Sequence, residues 1–142
     1  MSITGLRSLD RSVIETREWL KEVKEELLYD DEQDAYQVIR AVLHALRDRL
    51  SVQQAADLAA QMPMVLSGLY YEGWHPAGKP EKIRSAEEFR SRVAGGLPED
   101  KKDKAGVAIK AVFKTMEGRI SRGEMEDMKS ILPDDFKEFF EV

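Results

Sequence analysis

The chain has 142 residues, 42% of them apolar and 35% charged, with a net charge of -5 and aromatics at 8%. That balance fits one compact domain over residues 1–142 with its own core and excludes a disordered chain. The lack of cysteine excludes disulfide scaffolds, thiolate catalysis and sulfur-built zinc sites, and no window approaches the ~18 apolar residues of a membrane span.

The first eight residues lack the apolar stretch of a signal peptide, so the sequence reads as cytoplasmic. Val13, Leu20, Val23 and Leu27 then recur at helical spacing behind Asp10 as N-cap, which predicts a helix over 11–28. The acidic run Asp30, Asp31, Glu32 and Asp34 suits the positive end of a second helix over 32–50. Ala35, Val38, Ile39, Val42, Leu46 and Leu50 form its apolar stripe. The same run fails as a calcium loop, because Ala35 stands where the tight turn needs glycine and Ala41 where a bidentate Glu belongs.

Ser51 with Gln54 makes a capping box, and Pro63 stops the helix it opens, whose core face is Ala55, Leu58, Ala59 and Met62. A short helix over 64–71 follows. Gly73, Pro76, Gly78 and Pro80 then mark a loop over 73–84. Ser85 with Glu88 opens a helix bearing Phe89 and Val93, which the pair Gly95 and Gly96 ends early. Ser121 with Glu124 repeats the capping box, Pro133 repeats the stop, and a last short helix is expected over 134–140. No segment alternates apolar and polar residues with β-branched enrichment, so the fold class is all-α.

Two stretches of this series are copies of each other. Pairing residues 19–72 with 89–142 at an offset of 70, without a gap, gives eleven identities in 54, from Val23/Val93 to Pro63/Pro133. They fall on apolar stripes, on the cap Ser51/Ser121 and on the stop Pro63/Pro133, which predicts two pseudo-symmetric helical repeats closing one core. Arg49/Arg119 and Asp57/Asp127 are the only charged types duplicated at the corner between the second and third helices. Each Arg is therefore expected to bond an Asp of its own or the opposite copy, or nearby helix-end carbonyls. A shared symmetric ligand site is the sharper alternative.

The run Ala41-Val42-Leu43-His44-Ala45-Leu46-Arg47-Asp48-Arg49-Leu50-Ser51, the stretch Asp57 to Pro63 and the stretch Gly68 to Trp74 resemble a bacterial family known as domain of unknown function 2267. Ile120-Ser121-Arg122-Gly123-Glu124, leading to Leu132-Pro133, is also similar to that family. Met62 stands where the family would carry leucine. The resemblance implies a helical, duplicated domain in a bacterial cytosol and transfers no catalytic residue.

Chemistry has few places to sit. Tyr70, Tyr71, Trp74 and His75 gather three rings and an imidazole around a glycine–proline turn, as a ligand cleft or partner surface would. The same rings could instead fold back as an apolar plug that fixes the linker, the favoured reading. His44, among Arg40, Arg47 and Asp48, reads as a solvated surface residue. Glu72 and His75 have the Glu-x-x-His spacing of di-iron sites, but only one such pair exists and Gly73 and Pro76 break the helix around it, so no metal is expected. No nucleotide-binding or acyl-transfer motif is present, and no cofactor is expected.

Ser51 to Tyr71 superficially reads as helix-turn-helix, yet the would-be recognition helix 64–71 has no Arg, Lys, Asn or Gln, and residues 1–70 carry eight basic against twelve acidic side chains. Nucleic acid is therefore not an expected partner. The sequence points to a soluble, non-enzymatic helical module acting through protein contacts or self-association. A small-ligand or enzymatic cleft near Tyr70, Tyr71, Trp74 and His75 is the alternative.

Overall fold

Helix α1, Arg7–Glu26, buries Ser12, Thr16, Trp19 and Val23, a single stripe spaced three and four residues apart. The computed structural model that places it describes residues 2–140. The helix begins four residues earlier than the apolar pattern indicates, with Leu6 rather than Asp10 at the N-cap. Asp10 instead turns back within the first turn. Its carboxylate accepts from the Ile3 and Thr4 amides at 3.1 and 2.8 Å and from the Ser2 and Thr4 hydroxyls, tying residues 2–4 to the helix. These bonds hold its carboxyl down at about 2.

The far end of α1 closes with crossed bonds, Tyr29 amide to Lys24 carbonyl at 2.9 Å and Leu28 amide to Glu25 carbonyl at 3.2 Å. That closure puts Leu28 at φ 58°, the left-handed region, where glycine is the usual occupant. A leucine there carries a strain of about 1 kcal/mol.

Helix α2, Glu32–Arg49, is capped by Asp31 and complements its dipole with Glu32 and Asp34 at the start and Arg47 and Arg49 at the end. Helices α3, Val52–Ala59, and α4, Met64–Tyr71, follow the corner. Ser51 and Gln54 make the full reciprocal capping box. After the linker come α5, Ala86–Gly95, a 3-10 helix at Glu99–Lys104, α6, Ala105–Arg119, α7, Arg122–Ile131, and a second 3-10 helix at Asp134–Phe139. The last segment, expected as a regular helix, is the tighter 3-10 form. Among the described residues there is no strand, and the protein is all-helical.

Of the three predicted capping boxes only the first is complete. Ser85 and Ser121 each accept from the amide three residues on, at 3.1 and 3.2 Å. Neither Glu88 nor Glu124 returns the bond to its cap residue. The Ser121 amide instead donates to Gln61 Oε1 at 3.1 Å, so the turn after α3 supplies what Glu124 does not.

One apolar cluster runs from Trp19 to Phe139. Helix α1 lies on α2, α4 and α6; α2 also meets α4, α5 and α6; α3 lies against α7. Positions at the 70-residue offset are repeatedly buried in both copies, among them Val23 and Val93, Ile39 and Ile109, and Leu43 and Phe113. Phe89 sits at the centre of an aromatic group, with ring centroids 6.1 Å from Phe113, 4.8 Å from Phe136 and 5.8 Å from Phe139. The end of α5 approaches α2 closely because residue 96 is glycine: a Cβ there would lie 3.1 Å from that of Ala41.

Phe89 is fully buried and packs on three rings from two later segments, α6 and the last 3-10 helix, so Phe89→Ala opens a cavity that its neighbours cannot fill by local shifts. Urea unfolding of that variant is expected to show a loss of about 3–5 kcal/mol. A loss below about 1 kcal/mol would contradict the aromatic centre.

Candidate functional site

The segment from Tyr70 to His75 does not gather into a cleft. Tyr70 is fully buried and its hydroxyl donates to the Ala55 carbonyl at 2.9 Å, joining α4 to α3. Burial first, then Tyr71, pushes its phenol far above the ordinary range. Tyr71 and Trp74 are half-buried against the core, with ring centroids 5.4 Å apart, while His75 is exposed. The Trp74 indole nitrogen is buried without a hydrogen-bond partner. The three rings therefore pack in sequence against the core, Tyr70 on Tyr71 at 5.2 Å and Tyr71 on Trp74, and His75 alone lies apart.

The duplicated Arg and Asp residues also part company. Arg49 Nε donates to the Ile83 carbonyl at 2.8 Å, holding the end of the linker on α2. Arg119 pairs with Glu22 of α1 at 3.0 Å. Neither reaches Asp57 or Asp127. Those two carboxylates lie instead with Glu124 around a cavity of about 310 Å³ between α3 and α7, over Leu50, Leu58 and Met128. None of the three makes an ion pair among the described residues. Burial, then the charges of Asp57 and Asp127, raise the Glu124 carboxyl above its ordinary range. Ser51 and Ser121 cap α3 and α7, and Pro63 and Pro133 precede α4 and the last 3-10 helix. No group of three His, Asp or Glu side chains among the described residues is arranged to hold a metal ion.

Sequence reasoning overlooked the charged centre of the molecule. Arg47 and Asp48, at the end of α2, are both buried, at 5% and 8% exposure. Arg47 Nη1 donates to the Tyr70 and Glu72 carbonyls at 2.7 and 2.6 Å, completing the end of α4. Its Nε meets Asp48 Oδ1 at 3.2 Å. Asp48 also accepts from Arg92 of α5 at 3.1 Å and lies 3.8 Å from Lys79 of the linker. Glu81 pairs with both Lys79 and Arg92, and its amide donates to the Asp48 carbonyl at 2.7 Å. The hydrogen bonds from Arg92 and Lys79 hold the Glu81 carboxyl below its ordinary range, and Glu81 in turn raises Arg92.

His44 is half-buried rather than solvated. Its Nε2 lies 2.7 Å from the Leu69 carbonyl, an acceptor only, so Nε2 carries the proton. Burial, then Arg47 and Arg40, lower its pKa. The sequence contained a signal for this cluster: Ala41, Val42, Leu43, Ala45 and Leu46 make the second half of α2 apolar on nearly every side, and a charge on a helix buried all round must be paired.

The fold and its charged centre define a helical protein whose linker is fastened to the end of α2 by ion pairs. The chain belongs to the family described as uncharacterized conserved protein (DUF2267), whose model matches residues 16–139. No curated protein matches the chain.

Arg47→Met leaves two helix-end carbonyls and one face of Asp48 without their donor, at an expected cost of about 3 kcal/mol in urea unfolding. Stability equal to the parent would overturn this assignment. Glu124→Gln acts in the opposite direction. A carboxyl whose folded pKa is raised favours the folded state below its unfolded pKa and loses that contribution as pH rises. The variant should therefore raise the urea midpoint at pH 7, with the advantage vanishing below about pH 4. No difference at pH 7 would contradict the coupling of the three carboxylates.

Proposed function

We propose that this protein is a non-enzymatic helical module that acts through protein contacts, beginning with a second copy of itself. The observation that carries the reading is a groove of about 270 Å³ between the end of α1, α6 and the last 3-10 helix. Its apolar floor includes Leu27, Val107 and Phe140, and its rim carries Lys110 and Lys114 against Glu26 and Glu117. Val107 is 58% exposed, and the neighbouring Leu28, held in its left-handed turn, is 88% exposed. A leucine that is strained and also wet gains nothing within the chain, and it gains burial when a partner covers it.

Two charges of each sign around an apolar floor are self-complementary under a two-fold operation, which is what an isologous dimer needs. The alternative of a ligand or enzyme cleft at Tyr70, Tyr71, Trp74 and His75 gains no support from the geometry, because Tyr70 is enclosed in the core and His75 faces solvent.

Sedimentation velocity from micromolar to millimolar concentration should show a monomer–dimer equilibrium. Val107→Glu and Leu28→Glu, both at exposed positions, should each weaken it at least about tenfold, a change of about 1.4 kcal/mol. A strict monomer at millimolar concentration, or association that both variants leave unchanged, overturns the reading.

A further inference from the structure

Away from that groove, α2 and the end of α5 enclose an open notch of about 390 Å³ bordered by Arg40, His44, Arg47, Arg92, Gly95 and Gly96. Three guanidinium groups and an imidazole around one notch are unusual in a chain with a net charge of -5, and Asp48 is the only carboxylate on its border. We propose that the notch is a binding site for a small phosphate-bearing molecule, gripped by Arg40, Arg47 and Arg92 with His44 beside it. This does not depend on self-association.

The donor inventory supports it. Arg40 places Nε and Nη2 on Glu72 Oε1 at 3.1 and 2.9 Å, which leaves Nη1 unused. Arg47 commits Nε and Nη1 and keeps Nη2. Arg92 commits both terminal nitrogens to Asp48 and Glu81 and keeps Nε. His44 commits Nε2 to Leu69, so Nδ1 is the nitrogen left for a ligand. The Arg40–Glu72 pair is largely exposed on both sides, at 45% and 58%, and such pairs exchange readily for a better anion. Guanidinium forks match phosphate oxygens in pairs, and a phosphate dianion competes better than a single carboxylate for the N–H groups that remain free.

Opposing an anion are Asp48 on the border, Glu72 and Glu81, which pair with Arg40 and Arg92, and the end of α5, whose carbonyls carry partial negative charge. Two of those carbonyls are already occupied: that of Val93 accepts from the Gly96 amide, and that of Ala94 from the Leu97 amide and from Lys102 Nζ. Gly95 leaves space, since a Cβ built there meets nothing within 4 Å.

His44 and His75 are the only two histidines, which supplies a probe and an internal control in the intact protein. Around His44 stand Arg40, Arg47 and Asp48 on its own helix, the Leu69 carbonyl from α4, and Arg92 across the notch on α5. A bound dianion offsets the guanidinium charges that disfavour a second proton, so the imidazole should titrate higher with ligand present.

The experiment is imidazole NMR with inorganic phosphate, methyl phosphate and, at matched ionic strength, acetate. The expected result is a saturable upward shift of the His44 titration with either phosphate, while His75 follows ionic strength alone. Arg40→Gln, an exposed position, should weaken binding at least tenfold. Gly95→Leu, whose Cβ would meet nothing within 4 Å, puts an apolar side chain at the border of the notch and should abolish binding, with circular dichroism checking the helices in both variants. The proposal is overturned if His44 and His75 shift in parallel, if acetate acts as strongly as phosphate, or if Gly95→Leu binds as the parent does.

Discussion

A single buried arginine, Arg47, ties together parts of the chain that have no other reason to meet. Helix α4 ends in carbonyls that need donors, the linker buries little beyond Trp74 and Ile83 at its two ends, and α5 must stop beside α2. Arg47 answers the first need directly through the Tyr70 and Glu72 carbonyls. Through Asp48 it answers the other two, because that carboxylate holds Arg92 and draws in Lys79. Burying two charges is costly unless their hydrogen bonds are complete. Here Asp48 meets Arg47, Arg92 and Lys79, and Arg47 commits Nε and Nη1 to three acceptors, so a substitute that fails to supply those bonds leaves buried polar groups unpaired.

The arginine also separates the architecture from what decorates it. Apolar burial along α1, α2 and α6 holds the helices together, with Trp19, Leu43 and Phe113 buried in one cluster. That burial is non-directional and would accept several rotations of α4 and α5. The bonds of Arg47, Arg49 and Tyr70 are directional and select one of them. Of the guanidinium groups that do this work, that of Arg47 also borders the notch between α2 and α5.

Much of this was legible in the sequence. The helices were found because apolar spacing, Ser51, Ser85 and Ser121 as caps and Pro63 and Pro133 as stops agree with one another, and α4 falls on residues 64–71 as expected. The start of α1 was misplaced because Asp10 satisfies backbone amides from inside the helix, which no capping pattern describes. Duplication led to the expectation that Arg49 and Arg119 each bond an Asp at 57 or 127 or a nearby helix-end carbonyl. Duplication fixes a position along the helix but leaves the partner to the tertiary neighbours, and these differ: a linker carbonyl for Arg49 and Glu22 of α1 for Arg119. His44 and Arg47 were passed over because a charged residue on a helix is usually wet. Only the arrival of α4 and α5, distant in sequence, buries them.

The way the two sequence halves meet has a temporal side. Helix α1 is finished on α6 by Arg119–Glu22 and Lys114–Glu26, and α2 is finished on α5. During synthesis the first four helices therefore emerge with apolar faces that nothing yet made can cover, and they must wait for residues 105–119. For a helical protein of this length, that ordering makes folding depend on late, non-local encounters rather than on neighbouring turns. An N-terminal fragment released by early termination would be sticky rather than stable.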